Sequence, residues 1–388
     1  MSEPGSGSLV DTTALEVRRL SLSDALQVGA ECWDARALAA ATPSVFMSWA
    51  WHVAWLEATT PEERAASFVL AAGPDTSPSI IVPFCPRRVE FHRIPVHALT
   101  MAADNLATPD HLDALVQEPA DVTSLVDPLA AIPWDALILR SVADHAPYLG
   151  ALVGEFERRG LRVVRDRAWP CVVVPLPESW DVYLAGLSEK RRYRIRKDER
   201  TFAKRHGLHV TWYEGNQVVC GWEHLVRLCE ARWHGRGTFS TSPQVAMLFR
   251  RFATESAGQG RLWLASLDVD GMPVAAEFAV RFGDTLFGLL AGRDPTWDSE
   301  SVGRVLRAVM MRRAIEAGLK QYDLSRGTDP HKYEWTSTER LCHQITVLRP
   351  GRLGTMLFGA HLLALACRRL TGRAETRVEG RSAGDRRG

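Results

Sequence analysis

Glu277 sits inside the apolar stretch 273–282, where it alternates with Ala275 and Ala279. A carboxylate on a core strand is costly unless it is paired or set in a cleft. Partial burial raises its pKa toward that of a general base, and such a base could take the proton from an ammonium group before the amine attacks an acyl carbon. The alternative is an ion pair with Arg281 or Arg293. A second constellation is Asp323, Arg326 and Lys332. Arg326 and Lys332 could stabilise negative charge on a phosphate or an oxyanion, and Lys332 falls in a loop, where function concentrates. Asp323 reads instead as half of a structural ion pair. His234, His331 and His343 are further candidate bases, ranked behind Glu277. Cys229 lacks the His/Asn pattern of an activated thiol, so no covalent intermediate is expected.

These residues need elements to hold them. Apolar alternation at 262–269, 273–282 and 285–291, broken by Asp270-Gly271 and Gly283-Asp284, predicts three antiparallel strands in succession. A loop over 292–301 leads into a helix over 302–317, whose Val302, Val305, Leu306, Val309 and Met310 recur at helical spacing and which Gly318 ends. Short strands follow at 320–324 and 344–348. Upstream, a helix from about 180 runs into the basic stretch 190–205, and helices are expected over 221–232 and 245–257. In the first half, Phe46, Trp49, Trp51, Trp55 and Leu56 mark a buried aromatic helix. Strands are expected at 68–72, 80–84 and 136–140, and a helix over 149–159. No internal repeat is visible from periodicity.

Bulk composition fits a globular chain long enough for two domains: 388 residues, 46% hydrophobic and 24% charged. The formal net charge of +1 argues against general attraction to nucleic acid or an anionic membrane. No signal peptide or membrane-spanning run is visible, so a cytoplasmic protein without stable membrane insertion is expected. Cys32, Cys85, Cys171, Cys220, Cys229, Cys342 and Cys367 are dispersed without a CxxC pair, which predicts reduced thiols and no metal site.

Four segments in order resemble the CelD-type and FemAB-like branch of the GNAT acyltransferase superfamily. They are the basic helix Ser188-Glu189-Lys190-Arg191-Arg192-Tyr193-Arg194-Ile195-Arg196-Lys197, then Arg232-Trp233 with Gly235-Arg236-Gly237, then Asp294 to Gly303, and last Tyr322-Asp323-Leu324-Ser325-Arg326-Gly327 with Lys332-Tyr333. The last resembles the family's DF-x-R-G … YK signature. Ser301-Val302-Gly303 stands where the family often has Ser-Pro-Gly. The resemblance covers roughly 170–350 and implies an α/β fold of two tandem GNAT-like domains, each a mixed, mostly antiparallel sheet flanked by helices. The expected limits are a disordered start at 1–12, a degenerate domain over 13–168, an acyltransferase domain over 169–350, and a helix with a basic tail over 351–388.

The resemblance also implies an N-acyltransferase taking acetyl-CoA or another acyl-CoA as co-substrate, with no metal. The helix after residue 301 would hold the donor's phosphates, because first-turn N–H groups and the helix dipole favour anions. Ser301, Gly303 and Arg304 are its expected contacts. Glu277, Lys332 and Arg326 would serve catalysis, and Arg192, Arg196, Trp233 and Asp323 substrate binding. The acceptor would be a small-molecule or cell-envelope precursor amine in a bacterium. Two alternatives stay open: a FemAB-like transferase using aminoacyl-tRNA, which suits the basic helix, and a non-catalytic GNAT-like binding module.

Overall fold

The computed structural model describes residues 16–74, 77–117, 120–232 and 242–370. The expected N-terminal tail, the tail beyond 370, and Trp233, His234 and Gly235-Arg236-Gly237 lie outside these ranges.

Among the described residues, thirteen strands form one sheet. The first half contributes β1 (Val17–Ser21), β2 (Phe68–Ala72), β3 (Ile80–Phe91), β4 (Ile94–Met101), β5 (Leu115–Val116), β6 (Ala136–Ala143) and β7 (Arg162–Pro175). The second contributes β8 (His209–Trp212), β9 (Leu262–Val269), β10 (Met272–Phe282), β11 (Thr285–Arg293), β12 (Gln321–Arg326) and β13 (Glu339–Leu348). The order across the sheet is β1-β2-β3-β4-β6-β13-β7-β12-β11-β10-β9-β8, with β5 beside β3.

Read from either edge, this order repeats itself. From one side, four antiparallel strands end in β4, which pairs in parallel with β6. From the other, four antiparallel strands end in β11, which pairs in parallel with β12. In each half helices separate the first two strands, and a helix bridges the parallel pair: Val126–Ala131 in the first half, Val302–Glu316 in the second. The halves are therefore tandem copies of one α/β unit, as expected, although no sequence periodicity announces it.

The copies exchange their last strands. β7 lies against β12 of the second half, and β13 lies against β6 of the first. β7 and β13 also pair with each other along ten positions, Arg162–Val172 against Glu339–Leu348. The domain boundary expected at 168/169 thus falls inside β7. The strand expected at 80–84 continues as β3 to Phe91, past Pro86, which hides the extension because proline donates no ladder hydrogen bond; the β3–β4 hairpin turns on His92 and Arg93 with positive φ.

Elsewhere the periodic segments read correctly. Asp270 and Gly271 both have positive φ, as a tight hairpin turn between β9 and β10 requires, and Gly318 ends its helix at φ 73°. The single helix expected over 180–205 is two, Trp180–Gly186 and Glu189–His206, broken at Leu187-Ser188. The aromatic helix Trp49–Ala58 buries Trp51 and Trp55 completely. Trp51 meets Phe249 and Phe252 of the helix Pro243–Gly258 edge-on, at 5.9 and 5.1 Å between ring centroids. That packing places one apolar core across both halves, at a geometry worth about 0.5–1.5 kcal/mol per aromatic pair beyond burial. The helix Arg352–Leu370 packs on the sheet through Leu353, Leu357 and Phe358 and leaves Met356, Leu362 and Leu363 outward. Among the described residues no helix is long and apolar enough to cross a membrane.

Because each half lends a strand to the other, neither completes its sheet alone. Urea unfolding followed by tryptophan fluorescence and by far-UV circular dichroism is expected to give superimposable single transitions. Two separated transitions would show that the halves unfold independently.

Candidate active site

The site begins where β11 and β12 part. Their parallel pairing lasts only from Thr285–Phe287 against Gln321–Asp323, although β11 continues to Arg293 and β12 to Arg326. On its other side β11 carries an extra residue against β10, where the register shifts between Phe278 and Ala279. A bulge bends its strand and raises the local twist, so the last third of β11 turns away from β12. The N-terminus of the helix Val302–Glu316 and the loop 327–335 border the gap.

This gap is a cleft of about 360 Å³ lined by Arg232, Gly292, Arg293, Ser301, Val302, Gly303, Arg304, Arg307, His331 and Trp335, with Ala291, Asp298 and Glu334. The expected donor contacts Ser301, Gly303 and Arg304 all line it. Ser301 takes a left-handed conformation (φ 55°) as the chain turns into the helix. A Cβ on Gly303 would meet nothing closer than Arg293 Cδ at 3.9 Å, so the first helical turn is open to an incoming group. Gly292 is needed for a different reason: a Cβ there would strike the backbone of Leu228 and Cys229 at 2.6 and 2.4 Å, which lets the helix Val218–Arg232 lie directly on β11 and deliver Arg232 to the cleft.

Four arginines converge on the cleft, with carboxylates beside them. Arg304 is held by Asp198 and, through two bonds of 2.8 and 3.1 Å, by Glu334, and Arg293 by Asp298 at 2.6 and 3.0 Å. Arg232 donates to the carbonyl of Ala291 at 3.2 Å. Its pKa is lowered by burial and by repulsion from Arg293 and Arg307. His331 is pushed down to about 4 by burial, then by Arg307 and Arg232, so its imidazole is neutral near pH 7. A second cleft of about 530 Å³ shares Arg304 and Glu334 with the first and is lined by Ser188, Lys190, Arg191, Arg194, Thr328 and Tyr333, among others.

The other expected residues stand elsewhere. Glu277 is buried, 1% exposed. Its carboxylate accepts from the Tyr322 hydroxyl and twice from Arg307, the two Arg307 contacts being 3.1 and 3.0 Å. Its partner is therefore Arg307 rather than Arg281 or Arg293, and it backs the cleft instead of lining it. Gly288 makes room for this trio, since a Cβ there would meet the Tyr322 ring at 2.8 Å. The Lys332 ammonium donates to the carbonyls of Ser325, at 3.0 Å, and Arg326, and is buried; its pKa is lowered, first by burial.

Arg326 reaches into the first half. It donates to Asp110 at 2.8 Å, to the Pro109 carbonyl and to Ser141 at 2.7 Å, and lies 4.4 Å over the Trp169 ring. Asp323 accepts from His111 at 2.9 Å and from the Ser325 N–H at 2.6 Å. So Asp323 and Arg326 do not pair with each other; both grip the consecutive residues Asp110-His111. On the basic helix Arg192 and Arg196 point away from the cleft, toward the Ala185 carbonyl and Asp181, at 3.4 and 3.7 Å. Lys190, Arg191 and Arg194, one face over, are the ones that line it. His343 pairs with Asp144 at 3.0 Å, away from the cleft.

His331 and Arg232 are the site residues that sequence reading undervalued. A lone histidine in a polar loop carries no periodic signal, and only the folded loop brings it to the four arginines. His331 and the buried His52, also pushed to about 4 by burial, are both held neutral by the fold, against an ordinary value of 6.5. Stability from these groups is full above pH 6.5 and is lost as the pH falls toward 4. The melting temperature is expected to fall across that window, and less steeply in His331→Gln; an unchanged pH profile in that variant would contradict the assignment. Asp110→Ala, which strips the 1%-exposed partner from Arg326, is expected to cost about 3–5 kcal/mol by denaturant unfolding; a loss below about 1 kcal/mol would show that the pair is dispensable.

Residues 189–333 match the family model of the acetyltransferase (GNAT) domain. No curated protein matches the chain. Among solved structures, a conserved protein of unknown function from Bacteroides thetaiotaomicron VPI-5482 is similar, with a TM-score of 0.57 at 12% identity over 86% of this chain and 100% of that one. FemX is similar with a TM-score of 0.54 at 10% identity, over 86% of this chain and 97% of FemX. The segment 189–333, which builds most of the arginine-lined cleft, is thus similar to a GNAT acetyltransferase domain, and the chain as a whole shares its fold with FemX.

Proposed function

We propose that the protein is an N-acyltransferase whose donor is an acyl-CoA, with the donor's phosphates held in the cleft at the start of the helix Val302–Glu316. The observation that carries this reading is the convergence of an open first helical turn with Arg232, Arg293, Arg304 and Arg307 on one cleft, where Arg232 is already destabilised by its neighbours. A diphosphate suits this arrangement: backbone N–H groups at the helix start would take it, and the guanidiniums would clamp it bidentately. Glu277 and Tyr322 fix Arg307 from behind.

His331 is the group we assign to the acceptor's proton. In the unliganded cleft its pKa is held down by burial and by two arginines. A bound phosphate offsets those arginines and raises it toward the range where a base works near neutrality. The acceptor ammonium loses its proton to the imidazole, and the free amine attacks the thioester carbon. The carbon–sulfur bond then breaks as the amide forms, and the departing thiolate takes a proton. Donor binding would in this way tune the base that uses the donor.

A second reading has its own support. The adjoining cleft carries Lys190, Arg191 and Arg194, and a polyanion could run from it into the first cleft past Arg304. An aminoacyl-tRNA would fit that path as donor, with the same attack on an ester carbonyl.

Thermal unfolding with coenzyme A or acetyl-CoA separates these donors. Binding is expected to raise the midpoint, by about 2.7 kcal/mol of stabilisation at ligand 100-fold above its dissociation constant. The rise should be lost or reduced in Arg232→Ala and Arg304→Ala. No rise with any acyl-CoA, together with retention of charged tRNA on a filter, would replace the first donor with the second. Once turnover is measured, His331→Gln is expected to lower kcat about 10²–10⁴-fold with little change in donor KM, whereas Glu277→Gln should act mainly on donor KM through Arg307. The reverse pattern would return the base to Glu277.

A further inference from the structure

The grip of Asp323 on His111 orients one face of a buried cluster. His111 Nε2 meets the Asp323 carboxylate at 2.9 Å, so Nδ1 is the nitrogen left facing the other way, where Cys342 Sγ stands 3.5 Å off. Cys171 Sγ lies 3.7 Å from Cys342 Sγ. The three donor atoms all fall within 4.8 Å of one another. None of the side chains reaches solvent: both cysteines are 0% exposed, His111 1% and Asp323 2%.

The 3.5 and 3.7 Å spacings match those between ligands of a tetrahedral ion. Zinc–sulfur bonds of about 2.3 Å at tetrahedral angles set two thiolate sulfurs ~3.8 Å apart, and a sulfur and an imidazole nitrogen ~3.5–3.6 Å apart. Two further contacts suit thiolate ligation. The backbone N–H of His111 donates to Cys342 Sγ at 3.3 Å, a bond that favours the ionised sulfur. The carboxylate on the far imidazole nitrogen is the usual partner of a metal-bound histidine, fixing its tautomer and its ring plane. We propose that His111 Nδ1, Cys171 Sγ and Cys342 Sγ supply three of the four ligands of a site for Zn²⁺, with Asp323 as the orienting carboxylate and a small exogenous ligand in the fourth position.

The position gives the site its consequence. Cys171 is on β7 and Cys342 on β13, the two exchanged strands, and His111 comes from the first-half segment that Arg326 also holds. One ion would tie three segments, far apart in sequence, at the seam between the tandem copies. Binding converts two thiols to thiolates and releases two protons, so affinity falls in acid. Dispersed cysteines at 171 and 342 carry no metal-site spacing, which is why the sequence predicts none.

The test uses the full chain, purified with a phosphine reductant, stripped with a chelator and titrated with Zn²⁺ and, separately, Co²⁺. About one tightly held Zn²⁺ per chain is expected, with thiolate-to-cobalt charge transfer and tetrahedral visible bands for Co²⁺ and a higher melting temperature for the zinc form. Cys171→Ser should abolish the cobalt spectrum, Asp323→Asn should weaken zinc affinity about 10–100-fold, and Cys220→Ser, at the exposed Cys220–His224 contact, should change neither. A folded wild-type chain that takes up no stoichiometric Zn²⁺ and gives no thiolate–cobalt band would overturn the site, leaving two thiols in plain contact. A band that survives Cys171→Ser or disappears with Cys220→Ser would overturn it equally.

Discussion

Two consecutive residues, Asp110 and His111, hold the molecule together at its seam. Asp110 takes the guanidinium of Arg326 and His111 takes the carboxylate of Asp323, so both ends of one turn of β12 are fixed from the opposite half. All four groups lie where water is largely excluded, and an unpartnered charge there would cost several kcal/mol. The strand exchange makes this grip necessary. β7 and β13 cross the seam in opposite directions and pair with each other, and Asp110 accepts from both the backbone N–H and the guanidinium of Arg326 at the end of β12. The segment that resembles the family signature, Tyr322 to Gly327, thus reads physically as a fastening. Tyr322 braces Glu277, Asp323 and Arg326 hold the other half, and the carbonyls of Ser325 and Arg326 take Lys332.

The cleft follows from that fastening. With β12 fixed, a bulge in β11 and a parallel ladder of only three residue pairs force the strands apart. The helix joining them must then start in the gap, aiming its free N–H groups at whatever enters. Arginines arrive from three directions: β11, the helix laid on it at Gly292, and the first two turns of the bridging helix. Their mutual repulsion is held in check by Asp198, Glu334, Asp298 and Glu277, each of which neutralises a guanidinium from the rear or the side. The result is a set of guanidiniums held in fixed positions around the helix start, the kind of preorganised charge that is most effective electrostatically.

Much of the second half was legible in the sequence because its signals are local. Alternation and an Asp-Gly turn mark β9 and β10, helical spacing and Gly318 mark the helix Val302–Glu316, and the placing of Ser301, Gly303 and Arg304 together at one cleft follows from where that helix begins. What escaped depends on long-range contact. The basic helix announces its charge but not which face meets the cleft, so Arg192 and Arg196 stood for Lys190, Arg191 and Arg194. Lys332 and Arg326 carry charges suited to catalysis, yet the fold uses both on backbone carbonyls and on Asp110. Glu277 was rightly singled out as a carboxylate needing a partner, but that partner, Arg307, lies on a different element at no fixed spacing. The internal duplication escaped because the copies share topology without sharing a periodic pattern.

The central claim is that the start of the helix Val302–Glu316 is the donor's phosphate site. A crystal structure of the protein soaked or grown with acetyl-CoA tests it most directly. The account predicts density for the diphosphate against the backbone N–H groups of residues 302–304, within reach of Arg232 and Arg304, and the thioester turned toward His331. Ordered donor elsewhere on the molecule, with this cleft filled only by water, would contradict it.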